Sequence, residues 1–108
     1  MLAVIGSFRF PPDQIAEALP LMEQVIAATL GEAGCSAYSY AADVAEPGLF
    51  RVMEMWDNRA ALEAHFASPH MRDWAVARAA LGFSHREVTA FHWARAKFFD
   101  ARWPVPHR

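Results

Sequence analysis

The sequence predicts a single α+β domain whose elements follow the order β-α-β-β-α-β. Three observations support this prediction. Segments with strand composition alternate with segments of helical periodicity, prolines and glycines mark the boundaries, and two neighbouring strand segments are joined by a short turn. The chain has 108 residues, of which 55% are hydrophobic, so it is long enough for one core and too short for two.

The first strand and the first helix are predicted for the amino-terminal third. Residues 2–10 are rich in Val, Ile and Phe and stop at two prolines, which cannot continue a strand ladder. Pro12 and Asp13 suit the first turn of a helix. Pro20 interrupts the helical pattern and predicts a kink or a late start. The residues at helical spacing, expected to be buried, are Ile15, Leu19, Met22, Ile26 and Leu30.

A hairpin follows. Residues 35–43 alternate, with two tyrosines on one side, and residues 49–56 form a third strand segment. Between them lies the turn Glu46-Pro47-Gly48. The sequence therefore predicts two strands that pair antiparallel.

The remaining elements are two helices and a last strand. Asp57 or Asn58 can cap a short helix that runs to residue 67, and Ser68-Pro69 is a strong start signal for another. That helix ends near Gly82, and its inner stripe is His70, Trp74, Ala77 and Leu81. Residues 87–97 alternate as a fourth strand. The predicted domain covers residues 1–97, and residues 98–108 form an irregular tail.

Both faces of the predicted strands are apolar. Leu2, Val4 and Phe8 oppose Ala3 and Ile5, and Phe50, Val52 and Trp56 oppose Met53 and Met55. Helices in this arrangement cover only one face. Because a bare apolar face favours association, the sequence predicts a homodimer with sheet against sheet.

The composition excludes several classes of partner. The net charge is −2 and the arginines are scattered, so no nucleic acid or anionic membrane is expected. A single cysteine, Cys35, permits no internal disulfide and fits a reducing compartment. We find no signal-peptide pattern and no apolar run long enough to span a bilayer. The expected location is the cytoplasm.

One group of polar residues could carry chemistry. Glu54 and Trp56 lie on one strand face, and His65 and His70 border the space between helices and sheet. A carboxylate that orients an imidazole makes a general base, although the same group also suits a structural hydrogen-bond network. His65 and His70 are five apart across a proline break, which is not the spacing of a zinc helix, so no metal is expected.

Three segments resemble antibiotic-biosynthesis-monooxygenase domains, and in particular the small quinol monooxygenases. They are Glu32-Ala33-Gly34-Cys35-Ser36-Ala37-Tyr38, Phe50-Arg51-Val52-Met53-Glu54-Met55-Trp56, and Ala61-Leu62-Glu63-Ala64-His65-Phe66-Ala67-Ser68-Pro69-His70-Met71. The resemblance runs in order and spacing from residue 2 to about residue 81. It implies a ferredoxin-like fold that forms a dimeric α/β barrel.

The resemblance also implies a function and a site. The function is oxidation of a quinol or polyphenolic small molecule by O2, without a metal or flavin cofactor. His65 or His70 would be the base and Glu54 its orienting carboxylate. The implied residues are Glu54, His65 and His70 as catalytic groups and Tyr38, Trp56 and Trp74 as pocket walls.

Two alternatives stay open. Relatives with the same Glu and His pattern isomerise small phosphorylated carbonyl compounds, so an isomerase or lyase is one alternative, and a non-catalytic dimeric small-molecule-binding domain is the other. Arginines in the pocket would favour a phosphorylated substrate, and a closed core would favour binding only. Haem cleavage is disfavoured, because Gly6 or Ser7 stands where haem-degrading relatives have Asn.

Overall fold

The computed structural model describes residues 1–92. Within them a 3-10 turn at Pro12–Gln14 precedes the first helix. The elements are β1 (Leu2–Arg9), α1 (Ile15–Leu30), β2 (Cys35–Ala42), β3 (Leu49–Trp56), α2 (Arg59–Phe66), α3 (Pro69–Ala80) and β4 (Ser84–His92). The strands form one antiparallel sheet in the order β2-β3-β1-β4, which confirms the ferredoxin-like α+β fold. The proposed tail at 98–108 and the last predicted strand residues, 93–97, lie outside the described residues.

Helix α1 begins at Ile15 and continues through Pro20. Of the two effects predicted for this proline, a kink or a late start, the late start does not occur. Pro20 and Ala16, whose carbonyl loses its helical hydrogen bond, both lie on the exposed side, where water can replace the missing donor. The predicted buried stripe was also wrong in part, because Leu19 and Leu30 are exposed. The buried residues are Ala18, Met22, Val25 and Thr29.

The hairpin between β2 and β3 forms as expected. Gly48 has a φ of 89°, a backbone conformation that favours glycine. A Cβ at this position would lie 2.4 Å from the carbonyl oxygen of Phe10, which is too close for any side chain. The amide of Phe10 in turn donates to the Gly48 carbonyl at 2.9 Å. The turn is therefore fixed against the end of β1.

Strand β4 begins three residues earlier than predicted and contains a bulge. Ser84 pairs with Arg9 and Glu87 pairs with Ser7, so β4 has one extra residue in this stretch. His85 takes up the irregularity with a φ of 54°. Glu87, which pairs with Ser7, lies on one face of the sheet, and its neighbour Arg86 lies on the other.

The two faces of the sheet have different surroundings. The covered face packs against the helices, and its buried residues include Leu2, Val4, Phe8, Val52, Glu54 and Trp56. The bare face carries the apolar residues Ala3, Ile5, Met53, Met55 and Phe91 and the polar residues Ser7, Arg51, Glu87 and Thr89. In the single chain Ile5, Met53 and Phe91 are 54%, 44% and 43% exposed. Apolar side chains therefore occur on both faces, as predicted, and Arg51 and Glu87 add charges to the bare face.

None of the helices within residues 1–92 has the length and apolar character needed to cross a membrane.

Candidate functional site

The centre of the candidate site is the carboxylate of Glu32, in the turn after α1. Its Oε2 lies 2.7 Å from Nδ1 of His65 and 2.9 Å from Nε2 of His70. A carboxylate only accepts hydrogen bonds, so both imidazoles donate to it. Glu32 thus links the end of α1 to both histidines.

The break between α2 and α3 brings the two histidines together. Asn58 begins α2, since its side chain accepts a hydrogen bond from the amide of Ala61 at 2.9 Å. Ser68 occupies the N-cap position of α3 with extended backbone, but its hydroxyl donates to the His65 carbonyl at 2.7 Å instead of capping α3. The rings of His65 and His70 end up with their centroids 6.1 Å apart.

His65 is fully buried, and its two ring nitrogens differ. Nδ1 donates to Glu32, whereas Nε2 has no hydrogen-bond partner within residues 1–92. In a neutral imidazole a proton on Nδ1 leaves Nε2 with a free lone pair. The ring is held between Trp56, at a centroid distance of 4.8 Å, and Tyr38, at 5.3 Å. This arrangement orients an imidazole whose free nitrogen can accept a proton.

A small cavity lies between the sheet and the helices beside His65. The volume of the cavity is about 20 Å³, which is enough for a water molecule. Larger molecules enter only when side chains at its mouth move, and Phe66 and Arg86 are exposed there. The lining residues include Phe8, Tyr38, Tyr40, Glu54, His65, Phe66, Met71, Arg78, Phe83 and Arg86.

Glu54 lines the same cavity, but it contacts neither histidine by a hydrogen bond. Its Oε1 accepts from the indole Nε1 of Trp56 at 2.9 Å. Burial raises the pKa of the Glu54 carboxyl, and the hydrogen bond from Trp56 only partly opposes this. The orienting contact that the sequence assigned to Glu54 is made by Glu32. Glu54 instead offers the cavity a carboxyl group biased towards its protonated form.

Two tyrosines complete the polar part of the cavity. The hydroxyl groups of Tyr38 and Tyr40 are 2.7 Å apart and hydrogen-bonded to each other. Burial raises the pKa of both phenols, so they stay protonated at neutral pH. They can therefore donate hydrogen bonds to a bound molecule without becoming phenolates.

The three residues expected as pocket walls occupy different places. Tyr38 lines the cavity, and Trp56 lies behind it, where it packs on His65 and holds Glu54. Trp74 lies outside this cavity. It is buried beside Phe10, and with His70 it borders a separate groove between α1 and α3.

Sequence reasoning missed four residues of the site: Glu32, Tyr40, Arg78 and Arg86. Glu32 stands at the start of the first family-like segment, and Tyr40 alternates with Tyr38 on β2, so both carried a usable signal. The positions of Arg78 and Arg86 depend on how α3 and β4 pack around the cavity.

Glu32, His65 and His70 also form a group that could bind a metal ion. One ligand atom from each lies within 4.8 Å of the others. Two histidines and one carboxylate are a donor set known from non-haem iron sites, and the carboxylate was missing from the sequence argument against a metal. The contacts of 2.7 and 2.9 Å are hydrogen-bond lengths, so a metal would have to displace the protons that now link the three groups.

The fold and the site together define a small-molecule pocket protein with a carboxylate-oriented histidine. A model of the antibiotic biosynthesis monooxygenase family matches residues 1–77. The chain therefore belongs to the antibiotic biosynthesis monooxygenase family.

Individual relatives agree with this assignment. A crystal structure of an antibiotic biosynthesis monooxygenase is 31% identical, with a TM-score of 0.80, and the match covers 87% of this chain and 99% of that one. A Deinococcus radiodurans structure with a provisional assignment of the same kind is 27% identical, with a TM-score of 0.84, over 92% of this chain and 98% of that one.

A curated Synechocystis protein of uncharacterised function is 34% identical over 73 residues, which are 68% of this chain and 50% of that protein. The match thus spans half the length of that relative. Family and relatives support a general role in monooxygenation or small-molecule binding.

Proposed function

We propose that this protein is a cofactor-independent monooxygenase that oxidises a quinol or polyphenolic small molecule with O2. The observation that carries the proposal is the unpartnered Nε2 of His65, which belongs to a ring fixed through Nδ1 by Glu32 beside an aromatic-lined cavity. Such a pair supplies the positioned base with which this chemistry begins.

The reaction begins with proton transfer. Nε2 of His65 removes the proton of a substrate hydroxyl, which has an ordinary pKa near 10, and Glu32 stabilises the imidazolium that forms. The resulting phenolate is electron-rich and transfers electrons to O2. One oxygen atom becomes bonded to a ring carbon and the other leaves as water, while the ring is oxidised to a quinone. Because all the electrons come from the substrate, no external reductant is needed.

Glu54 has a separate role in this proposal. Its carboxyl group is buried and biased towards the protonated form, so it can donate a proton to the oxygen atom that leaves as water. The same cavity thus holds two groups that can transfer protons in this proposal, His65 as the base and Glu54 as the acid.

We further propose that the functional unit is a homodimer formed through the bare face. Ile5, Met53 and Phe91 are exposed on this face in the single chain, whereas the helices cover the opposite face. A second copy related by a two-fold axis would bury these side chains and form the dimeric barrel.

The test measures O2 uptake with hydroquinone after the protein has been dialysed against a chelator. We expect faster uptake with the protein than without it, and a loss of about a hundredfold or more in Glu32→Gln and in His65→Gln. Glu23→Gln is the matched control, because Glu23 is exposed on α1 and should leave the rate unchanged. Equal rates for the wild type and both site variants would contradict the proposal.

Two further measurements separate the alternatives. Activity that is lost after chelation and restored by Fe²⁺ or Zn²⁺ would assign Glu32, His65 and His70 to a metal instead. Arg78 and Arg86 line the cavity, and by the criterion given above they favour the isomerase or lyase alternative with a phosphorylated substrate. This alternative predicts no O2 uptake, but exchange of the proton next to the carbonyl of a small carbonyl compound in heavy water. A protein that shows neither O2 uptake nor this proton exchange would be a binding domain.

A further inference from the structure

Two cationic side chains, Arg78 and Arg86, line the cavity, and the proposed reaction assigns no role to either. Arg78, on α3, is half-buried, and its guanidinium lies 4.2 Å from the ring centroid of Phe83 and 5.8 Å from that of Trp74. These aromatic contacts hold the guanidinium in place while its nitrogens stay available for an acceptor. Within residues 1–92 Arg78 forms no ion pair.

Arg86 reaches the same cavity from β4. Glu87 pairs with Ser7 on the bare face, so its neighbour Arg86 lies on the covered face, as Val88 does. Arg86 is exposed, so it lies at the mouth, and it also forms no ion pair within residues 1–92.

The two guanidinium groups are close enough to affect each other. Burial and the charge of Arg86 both lower the pKa of Arg78. Burial raises the pKa of the nearby Glu54 carboxyl, whereas the charge of Arg86 lowers it. Two cations that repel each other at a cavity mouth favour the binding of an anion between them.

We propose that the cavity binds an anionic phenol, with a carboxylate or phosphate group between Arg78 and Arg86 and the phenolic hydroxyl at Nε2 of His65. This rests on the proposed function for the ring and its hydroxyl, and it adds the anionic group. The aromatic lining, which includes Phe8 and Tyr40, suits the ring. The anionic group remains near the exposed Arg86, so it does not lose all its hydration on binding.

The test is calorimetric titration in the absence of O2, which separates binding from reaction. The ligands are gentisate, its neutral methyl ester, hydroquinone and hydroquinone monophosphate. We expect at least one of the two anions to bind about tenfold or more tightly than the neutral ligands, since a hydrogen bond to a charged group contributes that much. Equal binding of gentisate, hydroquinone monophosphate and the two neutral ligands would overturn the proposal.

Variants identify the subsite. Arg86→Met, at an exposed position, and Arg78→Met should remove the preference for the anion but leave the methyl ester bound as before. Arg78→Lys keeps the charge and should retain part of the preference. Arg59→Met is the control, because Arg59 is exposed and pairs with Glu63 at 3.0 Å. If both methionine variants keep the wild-type preference, the two arginines are not the subsite.

Parallel O2 measurements keep this inference separate from the proposed function. An anion preference without O2 uptake would uphold the subsite and refute the oxygenase. O2 uptake with no anion preference in binding would uphold the oxygenase and refute the anion subsite.

Discussion

The two faces of the sheet are made by the same strands, yet they differ in what they can do. On the covered face of β3, Trp56 is fully buried and Glu54 is 5% exposed. On the bare face of the same strand, Met53 is 44% exposed. Alternation along one strand therefore provides both a polar group inside a cavity and an apolar group in contact with solvent.

This difference shows how a small chain divides its apolar residues between stability and association. On the covered face, α2 and α3 close the cavity over Glu54. The buried carboxyl of Glu54 then needs a hydrogen-bond donor, which the indole of Trp56 supplies. The bare face needs no partner within the chain, and it stays available for a second copy. Substitutions on the two faces should consequently act on different equilibria.

The largest expected effect is on folding. Trp56→Ala on the covered face should lower the free energy of unfolding by about 3–5 kcal/mol, because it leaves a cavity. Met53→Ala on the bare face should cost less than about 1 kcal/mol in the monomer, because this side chain is already partly solvated. Urea unfolding measures the free energy of unfolding of both variants. Both should also carry Ile5→Glu, which keeps the protein monomeric and the bare face exposed to water. Similar losses at the two positions would contradict the distinction between the faces.

The next effect is on association. Ile5→Glu should weaken the proposed dimer by about a hundredfold or more, since the interface would bury a carboxylate from each chain without a partner. Sedimentation velocity over a range of concentrations should show a dimer for the wild type and a monomer for the variant. Val44→Glu adds the same charge at a fully exposed apolar residue outside the sheet, and should leave the dimer intact. A wild type that sediments as a monomer would refute the dimer.

The smallest effect is the pH dependence from Glu54. Its folded pKa is raised above the ordinary value of 4.5, so the folded state holds this proton to higher pH than the unfolded state does. The free energy of unfolding therefore includes the whole contribution of Glu54 below pH 4.5, and this contribution is lost as the pH rises through the folded pKa.

Glu54→Gln removes this dependence. The melting temperature of the variant minus that of the wild type should increase as the pH is raised from about 4.5 towards neutrality. Glu23→Gln, at an exposed position, should show a flat difference over the same range. A flat difference for Glu54→Gln as well would mean that Glu54 is not destabilised by burial.

Most of the fold could be predicted from the sequence because its signals are local. The Asn58 cap, the Ser68-Pro69 start and the turn before β3 each depend on a few consecutive residues, and each lies where it was predicted. The buried face of α1 could be predicted less well from the sequence. Leu19 and Leu30 fit an apolar stripe, but contact with the sheet selects Ala18 and Thr29.

The candidate site was predicted in part for the same reason. His65 and Glu54 share a cavity, as their positions on a helix and a strand indicated. The partner of His65 is nevertheless Glu32, which is 33 residues away along the chain. No local rule distinguishes two glutamates at such separations, since the choice depends on how the turn after α1 docks on α2.

The sequence by itself determined the order of the elements, their boundaries to within a few residues, and the alternation that gives the sheet two apolar faces. These features follow from backbone preferences and from periods of two and 3.6 residues, which act over short stretches of chain. Tertiary structure alone decided that Glu32 holds His65, that Trp74 lies outside the cavity, and that Arg78 and Arg86 line the same cavity. Those outcomes depend on packing between distant segments, where small differences in docking decide which groups come within hydrogen-bond distance.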